Sequence, residues 1–254
     1  MISDLLDFVR FRVSATVFFI AASGYLLLSP IKFDLVFVAL SSFFVFAGGY
    51  AYNNIMDRAE DRMNRGKVNP IVDNNKKYPI VLLCFGMGFL FSLFLPSYMS
   101  ILFVLILAAN FFYSLLRVKK YFLVKNLYTG LGISLAFLYG ALTVSKINGE
   151  IIAYYLLMSL LIFIGSVISD LRDYEGDRKT GVNTIPAVLG FGRAKKFVYV
   201  LLLLFSVMIL IFEKFIILLP FAVITFLFLQ KDVISSAHLI GGLSLIFLAM
   251  WLFF

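Results

Sequence analysis

The sequence predicts an all-α integral membrane protein with nine transmembrane helices and a cytoplasmic amino terminus. Three observations carry that expectation. The chain is 62% hydrophobic and only 14% charged, with a mean hydropathy of +1.01, whereas soluble domains carry about 25% charged residues. Apolar runs of near-spanning length follow one another along the chain, and a span needs about 20 such residues. The cations are also segregated: loops on alternate sides of these runs differ sharply in Lys and Arg content, which marks the cytoplasmic side.

Taken in order, the expected spans are 13–31, 35–56, 79–95, 99–116, 126–145, 151–169, 197–212, 215–230 and 234–254. The first follows Arg10 and Arg12 and runs on past Ala21-Ala22-Ser23. That is longer than a signal-peptide core, so it is read as a retained span. Ser29-Pro30, Leu95-Pro96-Ser97, Ile147-Asn148-Gly149 and Glu213-Lys214 separate successive spans, the Pro and Gly residues acting as turn signals. Pro220 falls inside the eighth span and is expected to kink it. The single Cys84 lies in an apolar run, where it reads as a small buried hydrophobe. His238, in the ninth span, reads as a packing residue. The Ala47-Gly48-Gly49 cluster is expected to let helices approach closely.

Nineteen of the 22 Lys and Arg fall on one side of this arrangement, leaving only Lys32, Lys146 and Lys214 on the other. The net charge of +8 therefore follows from topology and attraction to anionic headgroups, and no nucleic-acid partner is expected. The whole chain, 1–254, is read as one transmembrane domain containing two faint repeats.

The repeats are marked by two acidic stretches. Asn53-Asn54-Ile55-Met56-Asp57-Arg58-Ala59-Glu60-Asp61-Arg62 closes an uncharged run beginning at Leu35. Ser169-Asp170-Leu171-Arg172-Asp173-Tyr174-Glu175-Gly176-Asp177-Arg178 closes a second such run. On a helix, Asn53, Asp57 and Asp61 share a face, as do Asp170, Asp173 and Asp177. Acids at the edge of an apolar run are costly unless a cation uses them. A row of oxygens on one face suits Mg²⁺, which takes one or two carboxylates plus substrate phosphate oxygens. The bland alternative for either stretch is a solvated helix end with Asp/Arg pairs. Two matched ends on the basic side favour a site in which metal sits on the acids and cations meet the outer oxygens of a polyphosphate.

These residues resemble the UbiA-type intramembrane prenyltransferase family. Asn53 to Asp61 resembles its first motif, and Asp170 to Arg178 its second. Gly181-Val182-Asn183-Thr184-Ile185-Pro186 is similar to the family's Gly-x-x-Thr-x-Pro continuation. Tyr113-Ser114, with Lys119 or Lys120 and then Asn126, is similar to its Tyr-Ser…Lys segment and trailing Asn. The resemblance implies nine helices around a central cavity, with Mg²⁺ as cofactor and a prenyl diphosphate donor. The implied metal ligands are Asn53, Asp57, Asp61, Asp173 and Asp177, and Asp170 is added to them because it joins the same helix face. Of these, Asp57, Asp61, Asp173 and Asp177 carry catalysis. Arg12 (chosen over Arg10), Tyr113, Lys119, Lys120, Asn126 and Arg178 would bind substrate. Two departures stand out: Asn54 replaces the usual Asp or Gln, and Gly66-Lys67-Val68-Asn69-Pro70 replaces a Pro-x-Arg-Pro continuation.

The expected function is Mg²⁺-dependent transfer of an isoprenoid chain to a lipophilic acceptor with release of diphosphate. The setting would be the membrane lipids of the cell, with the site on the cytoplasmic side. The composition leans toward an archaeal ether-lipid enzyme acting on geranylgeranylglyceryl phosphate. Aromatic quinone precursors and carotenoids are the other acceptor classes. A CDP-alcohol phosphatidyltransferase would need Asp-Gly followed by Ala-Arg, which neither stretch has. An ion-coupled transporter would place its acids near the midplane on broken helices, whereas these acids close their spans at one side.

Overall fold

The computed structural model describes residues 2–58, 62, 68–118 and 121–253, with Thr180 described by its backbone only. Every regular element among them is helical. Among the described residues seven helices are long and apolar enough to cross a membrane, beginning with α3 (Asp34–Met56), α5 (Ser97–Leu115) and α6 (Val124–Val144). They continue with α7 (Gly149–Thr180), α9 (Phe191–Ile211), the segment Glu213–Gln230 and α11 (Ile234–Phe253). Two apolar helices are shorter, α2 (Phe11–Leu26) and α4 (Lys77–Ser92). The apolar helices follow the nine expected runs in order, but the first and third expected spans have only 16 residues of helix each. At 1.5 Å per residue that is about 24 Å, short of a hydrocarbon core of about 30 Å.

Other boundaries also differ from expectation. A short helix, α1 (Ile2–Phe8), precedes α2. Pro220 does not kink a helix; it stands in the first turn of α10 (Leu219–Gln230), after a 3₁₀ segment Glu213–Leu218. There its missing N–H costs nothing. The sixth span continues well beyond Ser169, so that α7 carries the whole second acidic stretch within 32 helical residues. Asn148 caps its start, accepting from the Ile151 N–H at 2.9 Å, and Gly181 ends it at φ 68°, a conformation glycine adopts without strain. Thr184 then caps α8 (Ile185–Leu189), with Pro186 in its first turn. The Gly-x-x-Thr-x-Pro continuation is thus a helix stop followed at once by a helix start.

The chain divides into two compact units, Met1–Arg117 with Leu138–Lys146, and Val118–Phe137 with Ile147–Phe254. In the first unit α3 is central, packed against α2, α4 and α5. Gly48 and Gly49 allow this: a Cβ on Gly48 would lie 2.6 Å from the Phe85 ring, and one on Gly49 2.8 Å from Asn110 Oδ1. The expected close approach at Ala47-Gly48-Gly49 is therefore seen. Phe8, Val9, Ala47, Ala51, Val72, Val81 and Cys84 form a buried cluster. In the second unit α7 packs against α8, α9 and α11, and Phe137, Tyr154 and Phe215 cluster their rings.

Candidate active site

The first acidic end is built where α3 stops. Its last helical residue is Met56, and Asp57 is the C-cap, its N–H bonded to Asn53 O at 2.9 Å. Asp57 is only 9% exposed. A buried carboxylate at the negative end of a helix is disfavoured twice, by desolvation and by the aligned peptide dipoles, and is tolerated only with compensating partners. One turn earlier, Asn53 is equally buried and donates its amide N–H to Ser114 Oγ at 3.3 Å. That bond uses the Asn53 amide nitrogen, not its side-chain oxygen. Tyr113, half-buried, precedes Ser114 on α5. Asp61 lies outside the described residues, as do Lys119 and Lys120.

Arg58 and Arg62 turn to a different acid. Both pair with Asp73, Arg62 Nη2 at 3.0 Å. Asp73 ends a 3₁₀ turn, Pro70–Asp73, that Asn69 caps and also ties to α1 by donating to Asp4 O at 2.7 Å.

The arginine that meets this end is Arg10, not Arg12. Arg10 sits between α1 and α2 in a left-handed conformation, φ 45°, which a non-glycine residue adopts only when its surroundings hold it there. Its Nη2 donates to Asn54 Oδ1 at 3.1 Å, and its guanidinium lies 5.6 Å from the Tyr50 ring centroid. Asn54 in turn donates to Phe8 O at 2.8 Å. The asparagine that departs from the usual Asp or Gln therefore clamps the α1–α2 junction onto the motif. Arg12, one position beyond the first residue of α2, is exposed.

The second acidic end lies wholly inside α7. Asp170, Asp173 and Asp177 share one face, but their surroundings differ. Asp170 is 2% exposed, ion-paired to Lys125 Nζ through Oδ1 and accepting from Asn126 Nδ2 through Oδ2 at 2.8 Å. Asn126, itself 1% exposed, also donates to Ser166 Oγ at 2.9 Å. Asp173 is half-buried and grips Arg172, whose Nε and Nη2 both donate at 3.0 Å. Neighbours in sequence pair here because the long arginine folds back along the helix. The pair is about two-fifths exposed on each side, so it is weak and exchangeable. Asp177 is half-buried, with the Thr184 hydroxyl in hydrogen-bonding range and the charge of Lys125 nearby. Arg178 is exposed at the end of the helix.

Each end fits a hard divalent ion by the chemistry of its oxygen donors, at helical-turn spacing: Asn53 with Asp57, and Asp173 with Asp177. Among the described residues no three His, Cys, Asp or Glu side chains are grouped closely enough to form a metal cage by themselves. Lys125, Arg10, Asn54, Ser114, Thr184 and Ser166 are site neighbours that sequence reasoning did not assign. His238 is another: it is half-buried on α11 within electrostatic range of Arg172 and Asp173.

Known proteins resemble this chain in sequence and in fold. A digeranylgeranylglyceryl phosphate synthase from Saccharolobus solfataricus is 27% identical over 237 residues, covering 87% of this chain and 81% of that one. The apo structure of a UbiA homolog from Aeropyrum pernix superposes with a TM-score of 0.79 at 18% identity, covering 94% of this chain and 95% of that one. A UbiA homolog from Archaeoglobus fulgidus bound to GPP and Mg²⁺ gives 0.76 at 17% identity, covering 98% and 99%. The UbiA prenyltransferase family matches residues 13–253, nearly the whole chain. The chain therefore belongs to the UbiA prenyltransferase family of multi-pass membrane enzymes.

Proposed function

We propose that this prenyltransferase moves a geranylgeranyl chain from its diphosphate to geranylgeranylglyceryl phosphate, releasing diphosphate, in the synthesis of archaeal-type ether lipids. The observation that carries the reading is the doubled acidic helix end, each with oxygen donors one turn apart. The name of the Saccharolobus solfataricus relative supports the acceptor, and the Archaeoglobus fulgidus homolog bound to GPP and Mg²⁺ supports the donor class and the metal.

In this reading Asn53, Asp57 and Asp61 hold divalent metal at the first end, and Asp173 and Asp177 at the second, both acting on one diphosphate. Bound Mg²⁺ would neutralise the charge that builds on the departing diphosphate. Arg10, braced by Asn54, and Arg178, Lys119 and Lys120 would bind the outer phosphate oxygens. The bond between the allylic carbon and the diphosphate oxygen breaks, its electron pair leaving with diphosphate. The acceptor hydroxyl oxygen bonds to that carbon and gives up its proton. Tyr113, next to Ser114 on α5, would contact the substrate, and the apolar helices would receive the isoprenoid chain. Asp170 and Asn126 belong to the brace of the second end.

The same reading places nine helices in the membrane around a central cavity, with the amino terminus and both acidic ends on the cytoplasmic side of the cell membrane. The lysine and arginine bias supports this orientation, and the two 16-residue helices are accommodated by local bilayer thinning. Each compact unit carries one acidic stretch, which supports a duplicated origin within one catalytic domain.

The test uses the purified full-length protein in lipid, supplied with geranylgeranyl diphosphate and a panel of acceptors. Diphosphate release and product mass should require both Mg²⁺ and geranylgeranylglyceryl phosphate. Product formed only with an aromatic acceptor or a carotenoid precursor would replace the acceptor. Ion flux without diphosphate release would make the protein a transporter.

A further inference from the structure

The second acidic end contains a cation of its own. Lys125 lies in the first turn of α6, where a positive charge opposes the helix dipole and needs a counter-charge. Leu123, two residues earlier, is held at φ 62°, a strained conformation for a bulky residue that sets where this turn begins. The counter-charge is Asp170, bonded through Oδ1 to the ammonium and through Oδ2 to Asn126. Asn126 Nδ2 is committed to Asp170 and Ser166, and its Oδ1 is a buried acceptor without a hydrogen-bond partner. The Asn126 amide is thus fixed by its donors alone, and its orientation serves Asp170.

We propose that Lys125 is a built-in cation of the second acidic end and that Asp170 is its positioning residue, so that divalent metal loads there through Asp173 and Asp177 without Asp170. The inference rests on the metal-dependent reading above and refines it. Each Asp170 oxygen already faces a donor hydrogen, and a divalent ion bound there would stand directly against the ammonium. The Lys125 charge also reaches Asp177, one side of the proposed ion site. Lys125 therefore lowers the negative charge available to the ion and sets how tightly that end binds it.

The experiment is equilibrium Mn²⁺ binding, read by electron paramagnetic resonance on the full-length protein in detergent, with no substrate present. Five forms are compared: wild type, Lys125→Met, Asp170→Asn, the double variant Lys125→Met/Asp170→Asn, and Asp173→Ala to identify the signal from this end. Removing the ammonium alone should tighten Mn²⁺ about tenfold, because it frees a carboxylate and removes a repelling charge. Asp170→Asn alone should weaken binding several-fold, because it leaves the ammonium uncompensated. The double variant should return to within about threefold of wild type, since it removes the two charges together. A double variant that binds as weakly as Asp170→Asn would make Asp170 a metal ligand and overturn the inference. If the single variants do not fold, wild type against the double variant decides alone, because both replaced side chains are near-isosteric. Wild-type Mn²⁺ binding that Asp173→Ala leaves unchanged would instead defeat the metal reading itself, and the inference with it.

Discussion

The two acidic helix ends look alike in sequence and are built in opposite ways. At the first, α3 stops at Met56 and leaves Asp57 as a buried cap on the negative end of the helix. Its two neighbouring arginines, Arg58 and Arg62, are drawn off to Asp73. At the second, α7 runs straight through the motif to Thr180, and the most buried acid, Asp170, is compensated by Lys125. Repetition of spacing therefore does not bring repetition of environment. The first end is a buried helix cap, and the second is a braced row inside a continuous helix.

That contrast orders the expected effects. Asp57→Ala combined with Asp173→Ala should abolish transfer, with kcat/KM down by about three orders of magnitude or more, equivalent to about 4 kcal/mol of lost transition-state stabilisation. Loss of geranylgeranyl transfer in a radiolabel assay checks it, and wild-type activity would break the account. Between the single amide variants, Asp57→Asn should cost more activity than Asp173→Asn. The same radiolabel assay ranks the two variants, and equal losses would remove the contrast between the ends.

Smaller effects sharpen the comparison further. Arg10→Ala should raise KM for the diphosphate donor about 10- to 100-fold, the loss of one to two charge-assisted bonds, while Arg12→Ala stays within about twofold. Equal effects would remove the Asn54 clamp from the account. Ser114→Ala should release Asn53 and cost about 1 kcal/mol, roughly fivefold in kcat/KM. Arg172→Ala should change Mg²⁺ dependence least, by under about threefold, because its pair with Asp173 is exposed and weak.

The membrane class and the succession of helices were legible because uncharged runs such as Leu35 to Met56 admit little else. The acidic positions were legible because helical spacing groups them whether the helix ends or continues. What escaped was anything fixed across elements. Nothing local shows that Arg10 rather than Arg12 meets Asn54; the left-handed turn at Arg10 accompanies that contact. The Lys125–Asp170 pair joins residues far apart in the chain, and spacing within a motif is blind to such a partner. Pro220 was read as a kink because an apolar run does not show where the 3₁₀ segment gives way to α-helix.

The claim that both ends act on one diphosphate is tested most directly by a double-mutant cycle on kcat/KM for geranylgeranyl transfer, with Asp57→Asn, Asp173→Asn and the two combined. If the ends serve one leaving group, losing either removes most of the shared stabilisation. The double variant should then be no more than about tenfold worse than the poorer single one. Losses that multiply in full across the two sites would show two independent sites and contradict the account.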